Sequence, residues 1–186
     1  MFPQDENPIA RLAAIVGISI MLAVLGITLF GIFTNSTNTF ESPYLRLNYP
    51  DGWREMNTDL ITDCEDIECI LVLQQIAPPN ATLMISRLQM LERQTPEQLA
   101  LRSQELQQGE VIGTFDLTLA GQSAFGLDVL VSGRRCDTII RQIYAIRDTT
   151  AYQILVIVPC QDDFASILGA VQDMLDSLQL FSGQAI

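Results

Sequence analysis

The stretch of sequence that decides the fold is AYQILVIVP, from Ala151 to Pro159. Its centre, ILVIV at positions 154–158, is apolar at every position, so a strand formed there places apolar side chains on both of its faces. A sheet at this position must therefore be covered on both sides. The following segment supplies one cover, because apolar residues from 164 to 178 recur at helical spacing and Asp162 and Asp163 precede them, as at the positive end of a helix.

Further strands are predicted upstream from apolar and polar alternation bounded by turn residues. The turn signals nearest the decisive stretch are Gly121-Gln122, Gly133-Arg134 and Asp148-Thr149. The predicted strands are Tyr44–Tyr49, Glu68–Gln75, Ala81–Leu91, Val111–Leu119, Ser123–Ser132 and Cys136–Arg147. Between the third and fourth of these, Thr95-Pro96-Glu97 has the residues of a helix N-terminus, which predicts a helix to Gln108 that stops at Gly109.

The order of these elements resembles a known fold family. The chain resembles the PsbP/Mog1-like α/β sandwich in four features. They are a strand that runs into YPDGW at 49–53, a helix in mid-chain, a four-strand meander and a final amphipathic helix ending SLQLF at 177–181. The resemblance covers 44–181 and implies an α+β fold, a mainly antiparallel sheet covered by helices in an α/β/α sandwich. It also implies a mostly non-catalytic role, as an accessory subunit of photosynthetic membranes or a small binding adaptor. In this fold Trp53 is expected to plug the core between sheet and helix.

A membrane anchor is predicted near the N-terminus. The uncharged apolar run Leu12–Phe33 would span about 33 Å as a helix, enough to cross a hydrocarbon core of about 30 Å. A cleaved signal peptide is the alternative, but the run is long for one and ends without a small-residue cleavage site. The predicted organisation is a cytoplasmic tail at 1–11, a transmembrane helix at 12–33, a polar linker at 34–43 and an extracytoplasmic domain at 44–186. Arg11 gives a weak positive-inside signal for this orientation in a bacterial plasma membrane.

Small residues mark one face of the predicted anchor. Such residues let helices approach closely in lipid, although ordinary bilayer helices contain them as well. The predicted packing positions are Ala10, Ala13, Ala14, Gly17 and Gly26. They favour docking against other transmembrane helices.

The chain has four cysteines, which allow three disulfide pairings. If a hairpin turns near Asp148, Cys136 lies opposite Cys160 on the neighbouring strand, and Cys64 and Cys69 would then close a short loop. Two disulfides would place the domain in an oxidising, extracytoplasmic compartment. A zinc site of four thiolates is the rival interpretation, although the spacing lacks paired knuckles.

Composition limits the chemistry. The net charge of −12 disfavours nucleic acid as a partner. The chain has no histidine, so it cannot form a nucleophile system that uses histidine, and it cannot hold a haem or a catalytic zinc through histidine. We expect no cofactor. Possible partner contacts are the acidic group Asp63, Glu65 and Asp66, which is otherwise a solvated loop or an ion site, and the pair Arg134 and Arg135 at a hairpin tip.

The leading functional hypothesis is a non-catalytic, single-pass accessory subunit of a bacterial electron-transport or photosynthetic complex. Its partners would be the lipid bilayer and other subunits, as in an alternative complex III or a reaction-centre assembly. The second hypothesis is a free-standing anchored module that binds a peptide or small ligand. An enzyme that uses only carboxylates comes third.

Overall fold

The computed structural model describes residues 37–58, 67–90, 93–105, 109–159 and 164–181. Within these ranges the chain forms two helices, α1 (Pro96–Glu105) and α2 (Phe164–Asp176), and ten strands. The strands are β1 (Thr37–Glu41), β2 (Leu45–Pro50), β3 (Trp53–Glu55), β4 (Ile67–Gln75), β5 (Thr82–Gln89), β6 (Glu110–Leu119), β7 (Gln122–Val131), β8 (Thr138–Arg147), β9 (Thr150–Pro159) and β10 (Gln179–Leu180).

The strands form two antiparallel sheets. The larger has seven strands in the order β3-β4-β5-β9-β8-β7-β6, and the smaller has three in the order β1-β2-β10. Strands β6 to β9 are consecutive hairpins, which confirms the predicted meander, and β5 joins it by pairing with β9.

The large sheet is covered on both faces. On one face, Ile154, Val156 and Val158 of β9 are fully buried in a core shared with α2 and β2. On the other face, Leu99 and Ala100 of α1 pack in a second core against β7, β8 and β9. The layered α+β architecture predicted from the decisive stretch is therefore confirmed.

The second face is covered less completely than predicted. Helix α1 contacts β7 and β8, whereas Leu155 and Ile157 of β9 are only half-buried. The apolar run at 154–158 required cover on both sides, but a helix of ten residues reaches only part of a seven-stranded sheet.

The hairpin between β8 and β9 differs by one residue from the predicted register. Arg147 lies opposite Thr150 and Thr138 lies opposite Pro159, whereas the predicted register placed Thr138 opposite Val158. The reason is the two-residue loop, in which Asp148 adopts a positive φ of 57° that aspartate tolerates. Cys136 precedes β8 and Cys160 lies outside the described residues, so the pairing of these two cysteines stays a prediction.

The predicted linker also needs correction, because Thr37–Glu41 forms β1 and pairs with β2 along its whole length. The Thr39 hydroxyl donates to Asn48 Oδ1 at 2.9 Å, and Phe40 packs against the main core. A polar sequence therefore forms a strand here because β2 offers it an edge. Trp53 is only 4% exposed within the same core, as predicted.

Within the described ranges, neither helix is long and apolar enough to cross a membrane. The predicted anchor at 12–33, its small-residue face and the preceding tail lie outside those ranges.

Candidate functional site

A groove lies between α1 and the large sheet. It encloses about 630 Å³. One wall is α1, and the remaining lining comes from the C-terminal half of β5, the start of β9 and single residues of β4 and β8. We call it the α1 groove; its described lining residues are Ile67, Arg87, Leu88, Gln89, Met90, Gln94, Leu99, Arg102, Ser103, Tyr144, Ala151 and Gln153.

The wall of the groove is built by a capped helix. The Gln98 amide N–H donates to Thr95 Oγ1 at 3.2 Å, and the Thr95 amide N–H donates back to Gln98 Oε1 at 2.9 Å. This reciprocal capping box satisfies backbone donors that would otherwise lack partners, and Pro96 occupies the first helical position, where a missing N–H costs nothing. The helix then turns Leu99 and Ala100 toward the sheet, where both are buried.

The β5 side of the groove is held to the β8–β9 hairpin beyond the end of regular pairing. The Met90 amide N–H donates to the Thr149 carbonyl at 2.9 Å, and Gln89 Nε2 donates to Thr149 Oγ1 at the same distance. These bonds fix the segment that carries Leu88, Gln89 and Met90 relative to β9.

A polar network joins the helix to the sheet beneath the groove. Gln153 Nε2 donates to Tyr144 Oη at 2.6 Å, the Tyr144 hydroxyl donates to Gln142 Oε1 at 3.0 Å, and Ser103 Oγ donates to the same oxygen at 3.2 Å. Gln142 is fully buried, so its carbonyl oxygen needs these partners. The network therefore ties α1, β8 and β9 together at one point.

The electrostatics of this network favour neutral groups. Burial raises the pKa of Tyr144 above its usual value of 10.0, while hydrogen bonding with Ser103 and Gln153 opposes the shift. Tyr144 is therefore protonated near neutral pH and acts as a hydrogen-bond donor. The network therefore places neutral polar groups that are hydrogen-bonded to one another at the base of the groove.

A second polar constellation lies on the opposite face of the sheet. Arg141 donates from Nε and Nη2 to the two carboxylate oxygens of Asp128, both at 2.8 Å. Its guanidinium carbon also lies 4.5 Å from the ring centre of Phe115 and 5.2 Å from that of Phe164. Because both charges are matched and flanked by aromatic rings, we interpret this pair as part of the packing between β6, β7, β8 and α2.

The residues singled out from sequence do not meet in the α1 groove. Arg134 and Arg135 are exposed on the turn between β7 and β8, as predicted. Cys69 lies on β4 opposite Ser86, and Cys136 lies two residues before β8. The remaining predicted positions fall outside the described residues: Cys64, Cys160, Asp63, Glu65 and Asp66. In the described part of the chain, no three Cys, Asp or Glu side chains are grouped as metal ligands would be.

The groove residues were missed by sequence reasoning, although one signal was present. Gln142 and Gln153 interrupt otherwise apolar strands, and a polar side chain at a core position needs a buried partner. The pattern indicates that such partners exist, but only the fold shows that they are Tyr144 and Ser103.

Comparison with known proteins supports the fold and goes no further. No protein-family model and no curated protein matches the chain. Among solved structures, it is similar to cyanobacterial PsbP (CyanoP) from Synechocystis, with a TM-score of 0.58 and 11% identity over 78% of this chain and 93% of that one. It is also similar to LpqN of Mycobacterium tuberculosis, a protein involved in cell envelope biogenesis, with a TM-score of 0.57 and 14% identity over 78% of this chain and 90% of that one. The chain therefore has a PsbP-like fold.

Proposed function

We propose that this chain is a membrane-anchored extracytoplasmic protein whose domain acts by binding, with the α1 groove as the binding site. The observation that supports the proposal is the groove itself. Its volume of about 630 Å³ falls inside the range typical of small-molecule sites, about 300 to 1,000 Å³. Apolar side chains line the groove together with polar groups held by hydrogen bonds, and small-molecule sites combine the two.

The groove is preorganised for this role. Helix α1, which forms one wall, is capped by Thr95. The β5 side is hydrogen-bonded to Thr149, and the base is held by the hydrogen bonds of Tyr144. A site held from three directions loses little freedom when a ligand enters, so less binding energy is spent on ordering it.

The test uses the full chain in lipid nanodiscs and two small water-soluble probes with the same apolar body, 4-phenylbutanol and 4-phenylbutyrate. Hydrogen exchange measured by mass spectrometry locates binding without depending on how much probe enters the lipid. We expect at least one probe to slow exchange in α1 and in β5. Exchange unchanged in both elements at millimolar concentrations of both probes would overturn the proposal.

A matched pair of variants shows whether the protection comes from the groove. Gln94 lines the groove, whereas its exposed neighbour Arg93 does not. Gln94→Trp should obstruct the groove and remove the protection, and Arg93→Trp should leave it. Equal protection in the two variants would show that the probes bind elsewhere.

The second candidate function is an accessory subunit of a bacterial electron-transport or photosynthetic complex. The PsbP-like fold favours it, and so does the small-residue face predicted for the anchor. Anchor helices would dock against those of partner subunits, and the domain would stabilise a cofactor-bearing neighbour on the periplasmic side. After extraction of native membranes with a mild detergent, the chain should migrate with large partners on a native gel. Migration only at the size of the chain in its own detergent micelle would contradict this candidate.

A further inference from the structure

The charge of the α1 groove is opposite to that of the protein. The whole chain has a net charge of −12, with 22 acidic and 10 basic residues. Among the described lining residues of the groove, however, the only charged side chains are Arg87 and Arg102. A random sample of this surface would be acidic, so the groove is a local exception.

The two arginines differ in how far they are neutralised. Arg87 Nη2 lies 2.6 Å from Glu68 Oε2, and its guanidinium carbon lies 3.4 Å from the ring centre of Tyr44. Arg102 is exposed in the last turn of α1 and forms no ion pair with any of the described residues. Among the described residues, the positive charge in the groove that lacks an ion-pair partner is therefore that of Arg102.

Apolar side chains line the groove alongside this charge. Leu88 and Met90 approach from the β5 side, Leu99 from α1 and Ala151 from β9. The polar groups at the base are already bonded to one another, since Tyr144 Oη and Ser103 Oγ both donate to Gln142 Oε1. Among the described residues, a ligand therefore meets the unpaired cation of Arg102 beside these apolar side chains.

We propose that the α1 groove binds a small organic acid, with a single carboxylate paired to Arg102 and an apolar body against Leu88, Leu99 and Ala151. The planar guanidinium matches a carboxylate in a two-bond geometry, and Arg102, which has no ion pair with a described residue, balances one negative charge. A ligand with the same body but no charge would leave Arg102 without a partner. This inference rests on the proposed binding function and names the chemical class of the ligand.

The experiment compares 4-phenylbutyrate with 4-phenylbutanol on the full chain in nanodiscs, by calorimetric titration with empty nanodiscs as the blank. We expect the acid to bind about 3-fold to 5-fold more tightly than the alcohol, the difference expected for one ion pair at an exposed arginine. Arg102→Gln should remove this preference, and Arg93→Gln should keep it because Arg93 lies outside the lining. Both substitutions are at exposed positions, so both variants should fold.

Several outcomes separate this inference from the proposed function. If the alcohol binds in the groove as tightly as the acid, or if Arg102→Gln and Arg93→Gln behave alike, the inference is wrong while the binding function stands. If neither probe binds, both fail. Butyrate, which has the charge without the ring, should bind much more weakly than 4-phenylbutyrate; equal affinities would overturn the apolar half of the inference. Binding of the chain to phosphatidylglycerol vesicles but not to the free acid would assign the anionic partner to lipid and overturn it as well.

Discussion

At the residue scale, the surroundings of Tyr49 link the protonation of its hydroxyl to the free energy of unfolding. Its hydroxyl donates to Glu55 Oε1 at 2.7 Å. Burial, and then the hydrogen bond and negative charge of Glu55, raise the pKa of Tyr49 from 10.0 to about 12. Because the folded-state pKa is higher than that of the unfolded chain, the stabilisation is fully present below pH 10 and is lost as the pH rises toward 12.

Tyr49→Phe removes this contribution and tests it. We expect the free energy of unfolding to fall by about 1.5 to 3 kcal/mol at pH 7, the usual value for a hydrogen bond to a charged group. The difference between wild type and variant should then shrink between pH 10 and pH 12, since only the wild type loses the bond there. Urea unfolding, followed by the fluorescence of Trp53, the single tryptophan, measures the free energy of unfolding of wild type and variant at each pH. A difference that stays constant from pH 7 to pH 12 would contradict the assignment.

Residues of the candidate site were harder to predict than residues of the core. The buried position of Trp53 followed from a motif next to a strand, because burial is governed by local apolar pattern and position in the fold. The meeting of Ser103 with Gln142 depends on how a helix lies across a sheet, and no local pattern specifies that. Tyr144 meets Gln153 because the two lie opposite each other on β8 and β9, so this contact depends on the register of the hairpin. The sequence around Arg102 indicates only a solvent-exposed residue of a helix.

At the element scale, long periodic segments were predictable and short ones were not. The strands from 111 to 159 are long segments rich in apolar residues and bounded by turn residues, so their existence and order followed directly from the sequence. Strands β3 and β10, of three and two residues, are too short to show any period, and they form only because β4 and β2 offer edges. The β8–β9 register depended on whether the turn contains an even or odd number of residues, which a composition signal does not specify.

Helix α1 offers a prediction at this scale, because its N-terminal cap supports one wall of the groove. Thr95→Ala removes the hydroxyl that accepts from the Gln98 amide N–H and should lower the free energy of unfolding by about 1 kcal/mol. Hydrogen exchange should also become faster within α1, since its first turn is no longer held. Thr95→Ser is the matched control and should behave like the wild type because it keeps the hydroxyl. Indistinguishable exchange in the alanine and serine variants would show that the cap does not govern the helix.

At the scale of the whole molecule, the charge balance and the cysteines bear on the compartment. A net charge of −12 opposes close approach to anionic headgroups, so an anchor rather than surface charge would have to hold the domain at the membrane. The two predicted disulfides, once demonstrated, would place the domain in an oxidising compartment. The PsbP-like fold itself is compatible with several functions, so function must be tested at the groove and at the anchor separately.

The anchor gives the last prediction. The full chain expressed in bacteria should remain in the membrane pellet after washing with alkaline carbonate, because the run Leu12–Phe33 would span the hydrocarbon core. The mass of the intact protein should include residues 12–33. It should be lower than the mass of the reduced protein by two hydrogens per disulfide. Peptide mapping should find disulfide-linked peptides that join Cys136 to Cys160 and Cys64 to Cys69. Replacing both Ile20 and Val24 by arginine should release the chain, since each charge at the centre of a helix costs about 2.5 to 3.5 kcal/mol on insertion. A soluble product whose mass corresponds to a chain that starts after Phe33 would show instead that the segment is a cleaved signal peptide. The domain would then reach its partners by diffusion.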